Sequence, residues 1–421
     1  MGMTMTEKIL ARASGAKDVK PGDLVVTDVD TSVLIDNAFF PAYWREILKV
    51  HDPNKVIVVF DHRAPASDLI SAGAHVVGRN FVKRFGIKRF HDVGADVGIS
   101  HVIVADRGYA LPGTVLVCAD SHTCSGGAFN CAARGVGAPD MIYAVTTGKA
   151  WFRVGETVRY DLTGKLGPGV TTKDVFLHIA NAFGDHVNQN VEFGGPGLKH
   201  LSLNARRTIA TMGAEISADF AIFEADDLIL DYVRERNKAP FEAQNPDPDA
   251  VYRERRTVAL GEMEPLVALP DQVVKNSVPV GKVAGEKIDQ AFIGSCANGT
   301  LDDFAIAARV LKGRQVAPGV RLLVTPGSQE VYRNALRAGY VQTLADAGAV
   351  ITNATCGACG GGHLGILGPG ETCITASTRN FKGRMGDPSA RIYMASPATV
   401  AASAIKGAIA HPGEYTSEVF A

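Results

Sequence analysis

The sequence carries almost no net charge. Its 43 Lys and Arg residues stand against 44 Asp and Glu, leaving a formal charge of −1. A nucleic-acid binder normally shows a basic face and a high pI, so no nucleic-acid partner is expected. No stretch reaches the roughly 20 apolar residues that cross a bilayer, and Met1 to Gly15 lacks the apolar core of a secretory signal. No membrane role is expected either. Cysteine is sparse: seven in 421 residues, an odd count that does not suit the disulfide framework of a small secreted chain. Reduced thiols in a cytoplasmic setting follow, and some of them could hold a metal.

What is present is an α/β pattern. At roughly 100–200 residues per domain, the length suggests two to four domains. Short apolar runs alternate with longer helical patterns, as in layered α/β folds. Lys55–Phe60, Gly113–Cys118, Ala291–Gly294 and Arg321–Val324 read as buried strands, and Thr157–Leu162 as a strand of a further segment. Ligands collect beyond the carboxyl ends of strands in open α/β sheets. Three of those ends present polar or thiol groups: Asp61-His62, Asp120-Ser121-His122, and Ser295-Cys296. Breaks near 150 and 284 divide the chain into 1–150, 151–284 and 285–421. The first and last parts reuse one strand–polar turn–helix scheme. Thr4 and Glu7 form a capping box for a helix that Gly15 closes, and the proline-rich residues 236–254 read as a surface excursion.

Cys296 lies in Gly-Ser-Cys-Ala-Asn-Gly, and Cys356 and Cys359 form a Cys-x-x-Cys followed by glycines and His363. Glycines let the backbone approach a bulky inorganic group. Three thiolates on one iron–sulfur cluster would leave an iron open for Lewis-acid chemistry. A zinc on Cys296, Cys356, Cys359 and His363 suits the same donors, and a redox Cys-x-x-Cys is a third possibility. Cys118 and Cys373 sit in apolar runs and read as buried thiols. Candidate acids and bases come in pairs: Asp61 beside His62, His101 with Asp120, and His122 with Glu192. Seven further histidines (His51, His75, His91, His178, His186, His200 and His411) read as structural. Arg379 and Arg384 offer guanidinium forks suited to carboxylates.

Four of these motifs together carry a resemblance. Ala119-Asp120-Ser121-His122-Thr123-Cys124, Phe292 to Gly299, Cys356-Gly357-Ala358-Cys359 and Arg379-Asn380-Phe381-Lys382-Gly383-Arg384-Met385-Gly386 occur in the order and spacing of the aconitase family. The last resembles its isopropylmalate isomerase branch, and the likeness runs over nearly the whole chain. It implies a three-domain α/β iron–sulfur core without the C-terminal swivelling domain, and a [4Fe–4S] cluster on Cys296, Cys356 and Cys359. The activity implied is dehydration and rehydration of a small branched hydroxy-diacid, 2- to 3-isopropylmalate in leucine synthesis. A dimethylmalate, citramalate or homoaconitate hydro-lyase is the alternative. An RNA-binding iron sensor, as some aconitases become, fits the neutral charge poorly.

The resemblance also implies roles. His62 would be the leading acid for hydroxyl departure, oriented by Asp61. His101 with Asp120 and His122 with Glu192 would be paired active-site groups, and Arg379, Arg384 and Ser121 would hold substrate. The carbon base, a serine, would come from a small swivel-domain subunit. Thr378, Ile35 and the Ser100-His101-Val102 stretch depart from the common family pattern, which leaves the diacid open.

Overall fold

The computed structural model describes residues 2–420. Three parallel sheets make up most of it, and all three follow one winding rule. In the first, the strands Thr31–Ile35, Val56–Val59, Arg89–His91, Val115–Cys118 and Ala132–Gly135 lie in the spatial order third, second, first, fourth, fifth. The second sheet, Glu156–Thr163, Gln189–Gly194, Ala221–Phe223 and Glu254–Ala259, repeats that order with four strands. The third, Gln290–Ile293, Arg321–Val324, Val350–Ile351, Thr372–Thr375 and Arg391–Ala395, repeats it with five. Two antiparallel strands, Leu266–Ala268 and Ser277–Pro279, extend the edge of the third sheet. The scheme that the sequence suggested for its first and last thirds therefore holds for the middle as well.

Parallel sheets are covered on both faces, so their strands read as continuous apolar runs. Val56–Val59 is buried at every position. Ile57 and Val59 face one core together with Val33, Ile35 and Leu116, while Val56 and Val58 face another with Leu34 and Val117. The first of these cores continues into Val158, Tyr160, Val191 and Phe193 of the second sheet, which ties the two sheets together. The expected strands form, shifted at most by two residues at an end. The first helix starts at Met5 rather than Glu7, because Thr4 caps it and Glu7 closes the capping box on the Thr4 amide.

Residues 237–253 lack regular structure, yet they are tied down. Gln244 donates to Asn130 at 2.8 Å, and Lys8 pairs with Asp247 at 2.9 Å. Among the described residues no helix is long and apolar enough to cross a membrane.

The repeated winding matters because it brings polar residues to the carboxyl ends of neighbouring strands. Asp36 follows the first strand of the first sheet, Asp61 and His62 the second, and Asp120 the fourth. Cys296 follows the first strand of the third sheet, and Thr378 and Arg379 the fourth. The sheets meet closely. Cys356 N and Thr355 Oγ1 both donate to Asp61 O, at 3.1 and 2.7 Å, fastening the cysteine loop to the first sheet. Gly127, in the helical turns Ser121–Phe129, lies against Ala221 of the second sheet, where a Cβ would run into the Ala221 carbonyl. Gly127→Ala should therefore cost about 1–3 kcal/mol or more of stability through overpacking. Denaturant unfolding of the variant checks this; an unchanged midpoint would mean that the contact is not tight.

Candidate functional site

Four imidazole and carboxylate groups of the first sheet meet three thiols of the third around one narrow cleft. Its first-sheet wall is His62, His101, Asp120 and His122. Asp120 is the hub. His101 Nε2 lies 2.7 Å from its Oδ1, His62 Nε2 lies 3.4 Å from its Oδ2, and the His122 amide donates to Oδ1 at 2.8 Å. Burial by itself would raise the Asp120 pKa, but the surrounding imidazoles outweigh it and hold the carboxyl well below its usual range. The expected pair of His101 and Asp120 is present.

His62 is held from both sides. Its Nδ1 lies 2.7 Å from Asp61 Oδ1 and 3.6 Å from Asp36 Oδ1. Burial disfavours the imidazolium, yet Cys356 and the Asp61, Asp120 and Asp36 carboxylates overcome it and raise the His62 pKa well above its ordinary value. Asp61 is fully buried and accepts the Ser100 amide at 2.8 Å. Asp36 was not singled out from the sequence. It accepts the amides of Asn37, His62 and Arg63 at 3.0, 3.2 and 2.8 Å, forming a small anion cradle behind His62. Its position immediately after a strand was the available signal; attention to the apolar Ile35 before it obscured this.

The third-sheet wall is Cys296, Cys356 and Cys359 with Thr378 and Arg384. Ser295, just before Cys296, sits at φ 76, a left-handed conformation that a side chain rarely adopts. Such local strain is often kept at functional sites. Gly357 at φ 61 turns the chain between the other two cysteines, and its open Cα lets Thr325 approach. Burial pushes the Cys296 and Cys356 thiols up. For Cys359 burial is outweighed by the Arg384 guanidinium and the Thr378 hydroxyl, which bring it down to about 7. Thr378 Oγ1 stands 3.5 Å from Cys359 Sγ, so a hydroxyl does reach the thiol at this departure from the family pattern.

One expected pairing fails. His122 does not meet Glu192; its Nε2 lies 2.8 Å from Glu215 Oε1. Glu192 stands in mid-strand and is turned to the opposite side, where Oε1 accepts the Thr6 amide and hydroxyl at 2.8 and 2.9 Å and Oε2 accepts Tyr252 at 3.0 Å. It anchors the first helix to the second sheet. Glu215 takes the expected role from a short turn, Gly213–Ile216, and its Oε1 also accepts Arg379 Nε at 2.8 Å. Its other oxygen, Oε2, is buried without a partner. His122, Glu215 and Arg379 thus link all three sheets. Arg379 acts at the margin, and Ser121 is exposed and lies outside the cavity wall.

The donor set discriminates among metals. Among the described residues the one trio of donor atoms gathered within 4.8 Å is Asp61, His62 and Cys356, an acid–base pair beside a thiol. The three thiols do not form such a trio. Two thiolates on one zinc, each at about 2.3 Å, cannot be more than about 4.6 Å apart. His363, the fourth donor that a zinc would use, is instead 2.9 Å from the Pro65 carbonyl. Thiols facing one cavity but spread beyond one ion suit a cluster in which different irons take different thiolates. The residues present fit an iron–sulfur centre.

Known proteins place the chain in a family. The model of the aconitase family (aconitate hydratase) matches residues 46–286 and 275–407. The 3-isopropylmalate dehydratase large subunit of Mycolicibacterium smegmatis is 54% identical over 409 residues, covering 97% of this chain and 96% of its own. A probable 3-isopropylmalate dehydratase large subunit of Methanothermobacter thermautotrophicus is 43% identical, covering 98% and 99%. A probable methanogen homoaconitase large subunit of the same organism is 42% identical, covering 97% of each chain.

The two glutamates separate cleanly by mutation. Glu215→Gln keeps the shape but removes the anion from His122 and Arg379, and should lower kcat by about 10²-fold or more. Glu192→Gln should instead cost roughly 1–3 kcal/mol of stability and leave kcat nearly unchanged. Steady-state kinetics and thermal unfolding of both variants decide; the reverse pattern would restore Glu192 to the site.

Proposed function

The chain belongs to the aconitase family, and we propose that it is the large subunit of a hydro-lyase interconverting 2- and 3-isopropylmalate in leucine synthesis. The observation that carries the chemistry is the shared cavity: three thiols, a charged His62 and the Arg384 guanidinium face one another there. The choice of diacid is supported by nearly full-length likeness to large subunits bearing that name. Cys296, Cys356 and Cys359 would hold the cluster, a [4Fe–4S] centre. When bound, such a centre supplies a Lewis-acidic iron able to polarise a hydroxyl.

The chain's own residues account for proton handling and grip. Hydroxide leaves poorly unless protonated as it departs. His62 holds a proton at Nε2, facing the cavity, while Asp61 accepts from Nδ1 and fixes the ring. Asp120, kept ionised, orients His101 and steadies the positive charge on His62. Glu215 fixes His122 and holds Arg379 by Nε, leaving the Arg379 Nη groups for a substrate carboxylate. Arg384 has a buried Nε without a partner, a donor suited to the other carboxylate. Ser121, exposed beside Asp120, could add a hydroxyl to the substrate from the rim.

The family resemblance puts the base for the carbon-bound proton outside this cavity wall. That base would be a serine carried by a small swivel-domain subunit, so that catalysis occurs in a cleft shared by two chains. Homoaconitate is the second substrate reading, favoured by the 42% identical homoaconitase subunit. The alkyl pocket decides between them, and a methyl-sized difference there is worth only about 1–3 kcal/mol.

The co-purified pair, kept anaerobic, should convert 2-isopropylmalate faster than citramalate, dimethylmalate or homocitrate. Conversion of another diacid in preference, or full activity without a small subunit, would contradict the reading. In the same assay Arg384→Lys should raise KM by roughly tenfold or more, because an ammonium cannot reproduce the two-pronged grip on a carboxylate.

A further inference from the structure

Lys173 has no evident reason to be where it is. It opens the helix Thr172–Phe183, a position where lysine normally reaches water, yet its side chain is completely buried. An ammonium offers three donors and no acceptor. Nζ gives one hydrogen bond to Ser377 O at 2.9 Å and lies 3.4 Å from the Met212 sulfur. Among the described residues no carboxylate comes within 4.0 Å of it. An isolated charge in such surroundings is costly unless something balances it.

The charges that face Nζ point to what that is. They are, in falling order of effect, Asp303, Cys296, Cys359 and Glu215. Asp303 is already committed: its oxygens accept the Thr300 amide and hydroxyl and the Asn298 amide group, at 2.9, 2.6 and 2.9 Å. Burial has moved it up to about 6, and its hydrogen bonds run to those donors rather than to Nζ. Burial likewise moves Lys173 down to about 8. Ser377, whose carbonyl accepts the lysine's hydrogen bond, directly precedes Thr378, whose hydroxyl touches Cys359. The ammonium is thereby tied to the backbone of the loop that reaches Cys359.

We infer that Lys173 is the buried counter-charge of the thiolate–metal centre and raises its reduction potential. The inference rests on the ligand assignment made under Proposed function. The potential of such a centre depends on the net charge around it and on its burial. A fixed positive charge favours the more negative, reduced state. Lys173 touches no reacting atom; it is a positioning residue for charge.

The test uses the anaerobic two-subunit holoenzyme, wild type, Lys173→Met and Lys173→Gln. The midpoint potential is followed by electron paramagnetic resonance, and cluster loss in air by visible absorbance. Both neutral variants should show a lower midpoint and bleach several-fold faster in air. Their cluster-free forms should unfold no more readily than cluster-free wild type, because an unbalanced ammonium has been removed. An unchanged midpoint overturns the inference. So does failure of both variants to fold, which would assign the lysine to packing of the core. Absence of iron and acid-labile sulfide from the wild type would instead overturn the ligand assignment itself.

Discussion

The structure depends on a constraint that any buried charge imposes: it must be faced by its opposite. Asp61, Asp36 and Glu215 are carboxylates removed from water, Asp120 is mostly so, and their partners come from different parts of the chain. Glu215 shows this most fully. Its one engaged oxygen holds His122 of the first sheet and Arg379 of the third, while Glu215 itself belongs to the second. Breaking a buried pair by removing one partner strands the other, at a cost of about 3–5 kcal/mol. The three sheets are consequently held in register by groups of the candidate site.

The common winding order explains how a chain can arrange this. Each sheet begins at its centre and builds outward in both directions, so neighbouring strand ends deliver loops to the same edge. Loops that leave those ends are short where the site is built. Asp61 stands two residues beyond its strand and Asp120 two beyond another, so backbone freedom is small. The cysteine loop is longer, and it is the loop fastened to the first sheet through Asp61 O. Glycine enters where backbone must turn or another chain segment must come close, at Gly357 and Gly127.

Much of this was legible in the residues. The fully buried strands announce themselves as apolar runs, and polar residues at their ends marked Asp61, His62, Asp120 and Cys296; Cys356 and Cys359 stood out by their Cys-x-x-Cys spacing, and the role of His101 came from the family resemblance. The failures have a physical cause. Glu192 was paired with His122 on the family resemblance, and it lies beside a run of glycines. Those glycines allow the chain to pack on the backbone of Leu162, where a Cβ at Gly195 or Gly197 would collide. Glu215 sits in Ala-Thr-Met-Gly-Ala-Glu-Ile, a small-residue stretch with a single acid. Only the isolation of that acid hinted at a role, since its partners lie 93 and 164 positions away. Lys173 was silent for the same reason: local pattern shows which residues are buried, not what they will face.

The central claim is that three thiols, too widely spread for one ion, share an inorganic cluster held among buried charges. Native mass spectrometry of the anaerobically isolated chain tests it directly, with Cys296→Ser, Cys356→Ser and Cys359→Ser alongside. The account expects a bound mass of iron together with inorganic sulfide in the parent chain, lost or reduced in each single replacement. A single zinc, or a metal retained unchanged by all three replacements, would contradict it.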